Sequence, residues 1–87
     1  MLELRSGISV AELDDGMALL DEESGEYFTL NSTAALVIRS LLGGGTPAHA
    51  AEELIREYAV DDGIAKRDVD ELVTALKAAN LLAPGPT

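Results

Sequence analysis

The sequence predicts a winged-helix-like α+β domain in which a three-stranded antiparallel sheet is followed by three helices. Three observations carry this prediction. Short apolar runs separated by Asp-Gly and Ser-Gly turns fill the stretch before Asn31. At Asn31 the hydrophobic spacing changes from alternation to three-and-four. Glycines and a Thr-Pro pair then divide the remainder into helical segments.

Ile8 and Val10 alternate with Ser9 and Ala11, predicting a first strand. Asp14, Asp15 and Gly16 supply a turn, after which Met17 to Leu20 read as the returning strand of a hairpin. The next polar turn runs from Asp21 to Gly25, where glycine is free to adopt a left-handed conformation. Glu26 to Leu30 form the predicted third strand, and strands met in this order suggest a meander.

Asn31, Ser32 and Thr33 offer side-chain oxygens to cap the first helix. Its apolar stripe is Ala34, Val37, Ile38, Leu41 and Leu42, and Gly43 to Gly45 end it. Thr46 and Pro47 open the second helix, with Ala51, Leu54, Ile55 and Tyr58 on its buried side. The third is expected from Asp61 or Asp62 to about Asn80, with Val69, Leu72, Val73 and Leu76 on one face. Lys66 with Asp70 and Arg67 with Glu71 are candidate exposed pairs four residues apart. Pro84, Gly85 and Pro86 mark a tail, so the expected organisation is one domain over residues 1–82 and a flexible C-terminal tail over 83–87.

A chain of 87 residues has room for one small domain, and 47% hydrophobic residues suffice for a packed core. With no cysteine, disulfides, thiolate metal sites and cysteine nucleophiles are excluded. Met1 to Val10 lack the continuous apolar run of a secretory signal, and no segment approaches the ~20 apolar residues of a membrane span. A soluble, cytoplasmic protein with no membrane partner is expected. Sixteen acidic residues against six basic ones give a net charge of -10, which opposes nucleic acid and favours basic peptides or protein surfaces. The same acidity also serves plain solubility.

Catalysis has no obvious seat. His49 is the sole histidine and no nucleophile or base stands beside it in the sequence, so an exposed or structural role is expected. Carboxylates at Asp14 and Asp15, Asp21 to Glu23, and Asp61 and Asp62 fall in turns, where solvated acids are ordinary. Calcium-loop, zinc-pair and phosphate-loop patterns are missing, and Gly43 to Gly45 follow a helix instead of opening one. The sequence therefore predicts no enzyme, no cofactor, no metal and no catalytic residue.

The third strand is more informative. In a meander it lies at the sheet edge with unpaired backbone groups, and it carries neither proline nor lysine to block pairing. Tyr27 and Phe28 are adjacent there and point to opposite faces, Phe28 and Leu30 toward the core, Tyr27 and Thr29 away from it. Such an edge can accept an extended peptide as an added strand, with the third helix as the opposite wall. Alternatively Tyr27 merely covers the sheet, and Val69, Leu72, Val73 and Leu76 are all core.

The stretch from Asp15 to Leu82 resembles the PqqD-like family of peptide-recognition domains, also called RiPP recognition elements. The Asp15-Gly16 turn, Gly25-Glu26-Tyr27-Phe28-Thr29-Leu30-Asn31, Leu42-Gly43, Thr46-Pro47, Asp68-Val69 to Leu76, and Asn80-Leu81-Leu82 carry the resemblance. It is strongest to the stand-alone leader-binding proteins of lasso-peptide biosynthesis. The resemblance implies a precursor's leader bound as an antiparallel strand along strand three against the third helix. It implies Glu26, Tyr27, Phe28, Thr29 and Leu30 as the pairing edge, with Val69, Leu72, Val73 and Leu76 lining or supporting the groove. Implied partners are a leader peptidase of the transglutaminase-like cysteine protease class and a macrolactam synthetase. Ala48 and His49 replace an acidic pair common in the family.

Two rivals remain at this level. A winged-helix DNA-binding regulator needs a basic reading helix, whereas Asp68, Asp70 and Glu71 accompany Lys66, Arg67 and Lys77. A protein-docking subunit would carry nearly the same sequence signature.

Overall fold

Tight turns fold the first half of the chain into a meander. A computed structural model describes residues 2–83. Strands β1 (Ile8–Leu13), β2 (Gly16–Asp21) and β3 (Tyr27–Asn31) precede helices α1 (Ser32–Leu42), α2 (Pro47–Tyr58) and α3 (Asp62–Ala78). The α+β class and the element order are those expected. Of the expected tail, residues 84–87 lie outside the described residues.

Antiparallel pairing in the order β1-β2-β3 leaves a free edge on β1 and on β3. Leu19 stands opposite Phe28, and Met17 opposite Leu30, on the face toward the helices. Leu20 opposite Tyr27, and Ala18 opposite Thr29, form the outer face. At Gly16 a Cβ atom would lie 2.0 Å from the carbonyl oxygen of Leu30, so β2 and β3 approach there only because the residue is glycine. Gly25 turns the chain at φ +78° in open space.

The side chain of Asn31 ends β3 and starts α1, its Oδ1 accepting the Ala34 N–H at 2.9 Å. α1 buries two faces instead of one stripe. Val37 and Leu41 join Ala50, Ala51, Leu54, Ala65 and Val69 in a core between the helices. Ala35 and Ile38 join Met17, Leu19, Leu76 and Leu81 in a second core beneath the sheet. Ala35 is therefore buried where the single-stripe reading expects Ala34. On α2, Thr46 accepts the His49 N–H at 3.1 Å, and Tyr58, expected on the buried side, is exposed at the last turn.

Asp61 caps α3 by accepting the N–H groups of Gly63 and Ile64. Lys66 pairs with Asp62 at 3.2 Å, not with Asp70 as expected. An acid four residues N-terminal to a lysine complements the helix dipole, whereas the expected order runs against it. No helix among the described residues is long and apolar enough to cross a membrane.

The segments 3–5 and 81–83 are joined. Leu4 bridges Leu82, the Arg5 N–H donates to the Leu81 carbonyl at 2.9 Å, and the Ala83 N–H donates to the Glu3 carbonyl at 2.9 Å. The Arg5 side chain donates to the Asn80 carbonyl at 2.9 Å and to Asp21 Oδ2 at 2.9 Å. Partial burial works against the charge of Asp21. The N–H groups of Glu23 and Ser24 and the Arg5 guanidinium outweigh that effect and hold its carboxyl below the ordinary value of 3.8.

A carboxyl lowered in the folded state contributes stability above its unfolded value and loses it as pH falls through the folded value. Urea midpoints should thus drop as pH is taken below 3.8, and Asp21→Asn should flatten that part of the profile; an unchanged profile would place the acid sensitivity elsewhere. Gly16→Ala should cost roughly 3 kcal/mol through forced separation of β2 and β3. Gly25→Ala, which meets only backbone strain, should cost about 1 kcal/mol. Denaturant melts of both variants check the order.

Candidate functional site

The sheet register dictates which backbone groups of β3 are free. The Asp21 N–H donates to the Glu26 carbonyl at 2.8 Å just before the strand begins. Bonded and non-bonded pairs alternate along an antiparallel ladder, so Phe28 and Leu30 bond to Leu19 and Met17 of β2. Tyr27 and Thr29 consequently turn their N–H and C=O groups to the open edge. The expected edge, Glu26 to Leu30, is shifted by one residue, with Glu26 outside the strand and Asn31 within it.

Side chains divide as alternation requires. Tyr27, 69% exposed, and Thr29 stand on the outer face, while Phe28 and Leu30 are half-buried against the core that contains Leu76. The other edge, on β1, carries Glu12, whose carboxylate is bonded to Arg39 of α1. That hydrogen bond holds the Glu12 carboxyl below the usual carboxylate range. A fixed charge pair beside an edge disfavours strand addition there, and β3 carries no charged residue.

β3 and α3 both pack on α1, yet no Cα of one lies within 8 Å of a Cα of the other. Side chains bridge that distance, since Phe28 and Leu30 pack against the core that contains Leu76. At the Asn31 end lies an open cavity of about 370 Å³. Ala34, Val37 and Leu54 are its apolar lining, Asn31 and Thr33 flank it on one side, and Asp68, Glu71 and Leu72 on the other. Among the described residues, no ion pair involves Asp68 or Glu71.

The third-helix residues singled out in the sequence separate here. Leu72 lines the cavity. Val69 and Leu76 are 2% and 3% exposed, so they anchor α3 to the two cores and support the wall from behind. Val73 lies by a different depression with Leu2, Leu41 and Pro47. Sequence reasoning missed Thr33, Ala34, Asp68 and Glu71. The signal was present for the acids, because Asp68 lies three residues before Glu71 and four before Leu72, spacings that bring it beside both on the helix surface.

His49 Nε2 sits 2.8 Å from Glu53 Oε1 on the exposed side of α2, an i,i+4 contact away from the cavity lining. Among the described residues, no three acids or histidines gather closely enough to hold a metal ion.

The family model described as "Coenzyme PQQ synthesis protein D (PqqD)" matches residues 16–82. A solved chain described as lasso peptide synthetase B1 complexed with the leader peptide is 49% identical, with a TM-score of 0.88 over 95% of this chain and 98% of that one. A second, TbiB1 in complex with the TbiA(beta) leader peptide, is 26% identical, with a TM-score of 0.84 over 98% of this chain and 99% of that one. No curated protein sequence matches the chain.

Amide hydrogen exchange checks the assignment of the edge. Phe28 and Leu30 should be protected, whereas Tyr27 and Thr29 should exchange like exposed amides. The reverse pattern would mean the opposite ladder phase, with a different set of groups at the edge.

Proposed function

The chain belongs to the PqqD family, and we propose that it is a non-catalytic recognition protein for the leader segment of a ribosomally made precursor peptide in lasso-peptide biosynthesis. The leader pairs antiparallel to β3 and lies between that strand and α3. One observation carries this reading: β3 is a free edge of the sheet without a charged residue, and an open cavity lies at its Asn31 end beside α3. The relatives solved with leader peptides support it.

Binding by strand addition divides the work between backbone and side chains. The free N–H and C=O groups of Tyr27 and Thr29 supply sequence-tolerant hydrogen bonds. Phe28, Leu30 and Leu72 offer apolar contact on the helix side, while Val69, Val73 and Leu76 support the wall they belong to. Tyr27 extends from the outer face beside the added strand. Residues 1–82 act as one recognition unit. It presents the precursor to a leader peptidase of the transglutaminase-like cysteine protease class, with a macrolactam synthetase acting afterwards. These partners perform the chemistry, and the domain itself needs no cofactor.

The ladder phase makes the test specific. Proline at position 29 removes an N–H that points away from β2, so the fold retains its own hydrogen bonds. Thr29→Pro should therefore stay folded by circular dichroism yet bind the synthetic leader at least about tenfold more weakly, the loss expected when a backbone donor is removed and the added strand is crowded. Isothermal titration against a scrambled-leader control measures it. Full affinity in a folded Thr29→Pro variant would exclude strand addition at β3.

A further inference from the structure

One ion pair stands apart from the others. The side chains of Arg5 and Asp21 are 22% and 17% exposed, whereas each of the other ion pairs among the described residues has a member at 49% or more. Water competes less with a shielded pair, so it holds its geometry where an exposed one does not. Its anchor points lie at the ends of two different elements. Asp21 closes β2, and its N–H donates to the Glu26 carbonyl at 2.8 Å immediately before β3. Asn80 follows the cap of α3, and its carbonyl accepts Arg5 Nε at 2.9 Å while Arg5 Nη2 donates to Asp21 Oδ2 at 2.9 Å.

The other links between β3 and α3 are of a different kind. No Cα of one lies within 8 Å of a Cα of the other, and Phe28 and Leu30 reach the core that contains Leu76 through their side chains. Apolar contact is non-directional, so it sets how near the two elements come but not where the end of α3 stands along the strand. A planar guanidinium bonded through two of its nitrogens does fix direction. The backbone of the same segment continues the tie, with the Arg5 N–H donating to the Leu81 carbonyl and the Glu22 N–H to the Gly7 carbonyl, each at 2.9 Å. We propose that Arg5 is a positioning residue for leader binding: by tying Asn80 to Asp21 it holds the C-terminal end of α3 in its leader-competent place relative to β3. The proposal rests on strand addition at β3 and adds the residue that presets its geometry.

The probe is the synthetic leader of the precursor encoded beside this chain's gene, labelled with a fluorophore and followed by anisotropy. Arg5→Ala and Asp21→Asn should each weaken its binding roughly fivefold, the factor that follows when the competent arrangement falls to about one fifth of the population. The two substitutions change the net charge in opposite directions, so an effect on charge-driven encounter alone would move their affinities apart. Thr46→Ala, which removes the cap of α2 and lowers stability without loosening this tie, should leave affinity unchanged. The chain has no cysteine, so Glu23→Cys and Lys77→Cys, both at exposed positions, take spin labels that report the distance from the β2–β3 turn to α3. That distance distribution should broaden with Arg5→Ala and narrow again when the leader is added.

Asp21→Asn keeps the comparison decisive if Arg5→Ala folds poorly. Unchanged affinity or an unchanged distance distribution in the folded variants, affinities that move in opposite directions, or an equal loss with Thr46→Ala overturns the positioning role and leaves strand addition intact. A leader that does not bind the unaltered protein at all overturns both.

Discussion

The structure depends on α1 being buried on two sides at once. Val37 and Leu41 face the other helices, while Ala35 and Ile38 face the sheet. A helix with a single apolar stripe would leave the sheet and the helical layer with no common support. β3 and α3 each pack on α1, and the open cavity lined by Asn31, Ala34 and Asp68 lies beside that helix.

In the proposed role, the same geometry separates stability from recognition. On α3, Val69 and Leu76 are committed to the two cores, leaving Leu72, Asp68 and Glu71 at the cavity. On β3, Phe28 and Leu30 spend their backbone bonds on β2 and their side chains on the core, while Tyr27 and Thr29 keep theirs for the edge. Alternation along a strand and along a ladder thus places the free edge groups and the folding groups on the same short segment without competition. This acidic chain carries no charge along that edge, since β3 contains none.

Closure of the small domain comes from an unlikely-looking residue. Arg5 links the carbonyl of Asn80, just past α3, to Asp21 at the end of β2, while its own backbone pairs with Leu81. A cation at a helix C-terminus meets the negative end of the dipole, and Asp21 is in turn held ionised by the turn that leads into β3. Arg5 therefore ties the segment after α3 to the end of β2.

By itself the sequence determined the class, the order of strands and helices, the caps at Asn31, Thr46 and Asp61, and the open edge of strand three. These are local properties: alternation, helical spacing, turn chemistry and capping are written in residues a few positions apart. It also carried the family resemblance, through Tyr27-Phe28-Thr29-Leu30-Asn31 entering a helix. Only the tertiary structure decided that Ala35 and not Ala34 is buried, that Val69 and Leu76 support the wall which Leu72 lines, and that Asp68 and Glu71 share a cavity with Asn31. Arg5, unremarked in the sequence, gained its role from partners sixteen and seventy-five positions away. Spacing along a helix tells which residues share a face. Which elements that face meets depends on contacts between distant segments, and those exist only once the chain has folded.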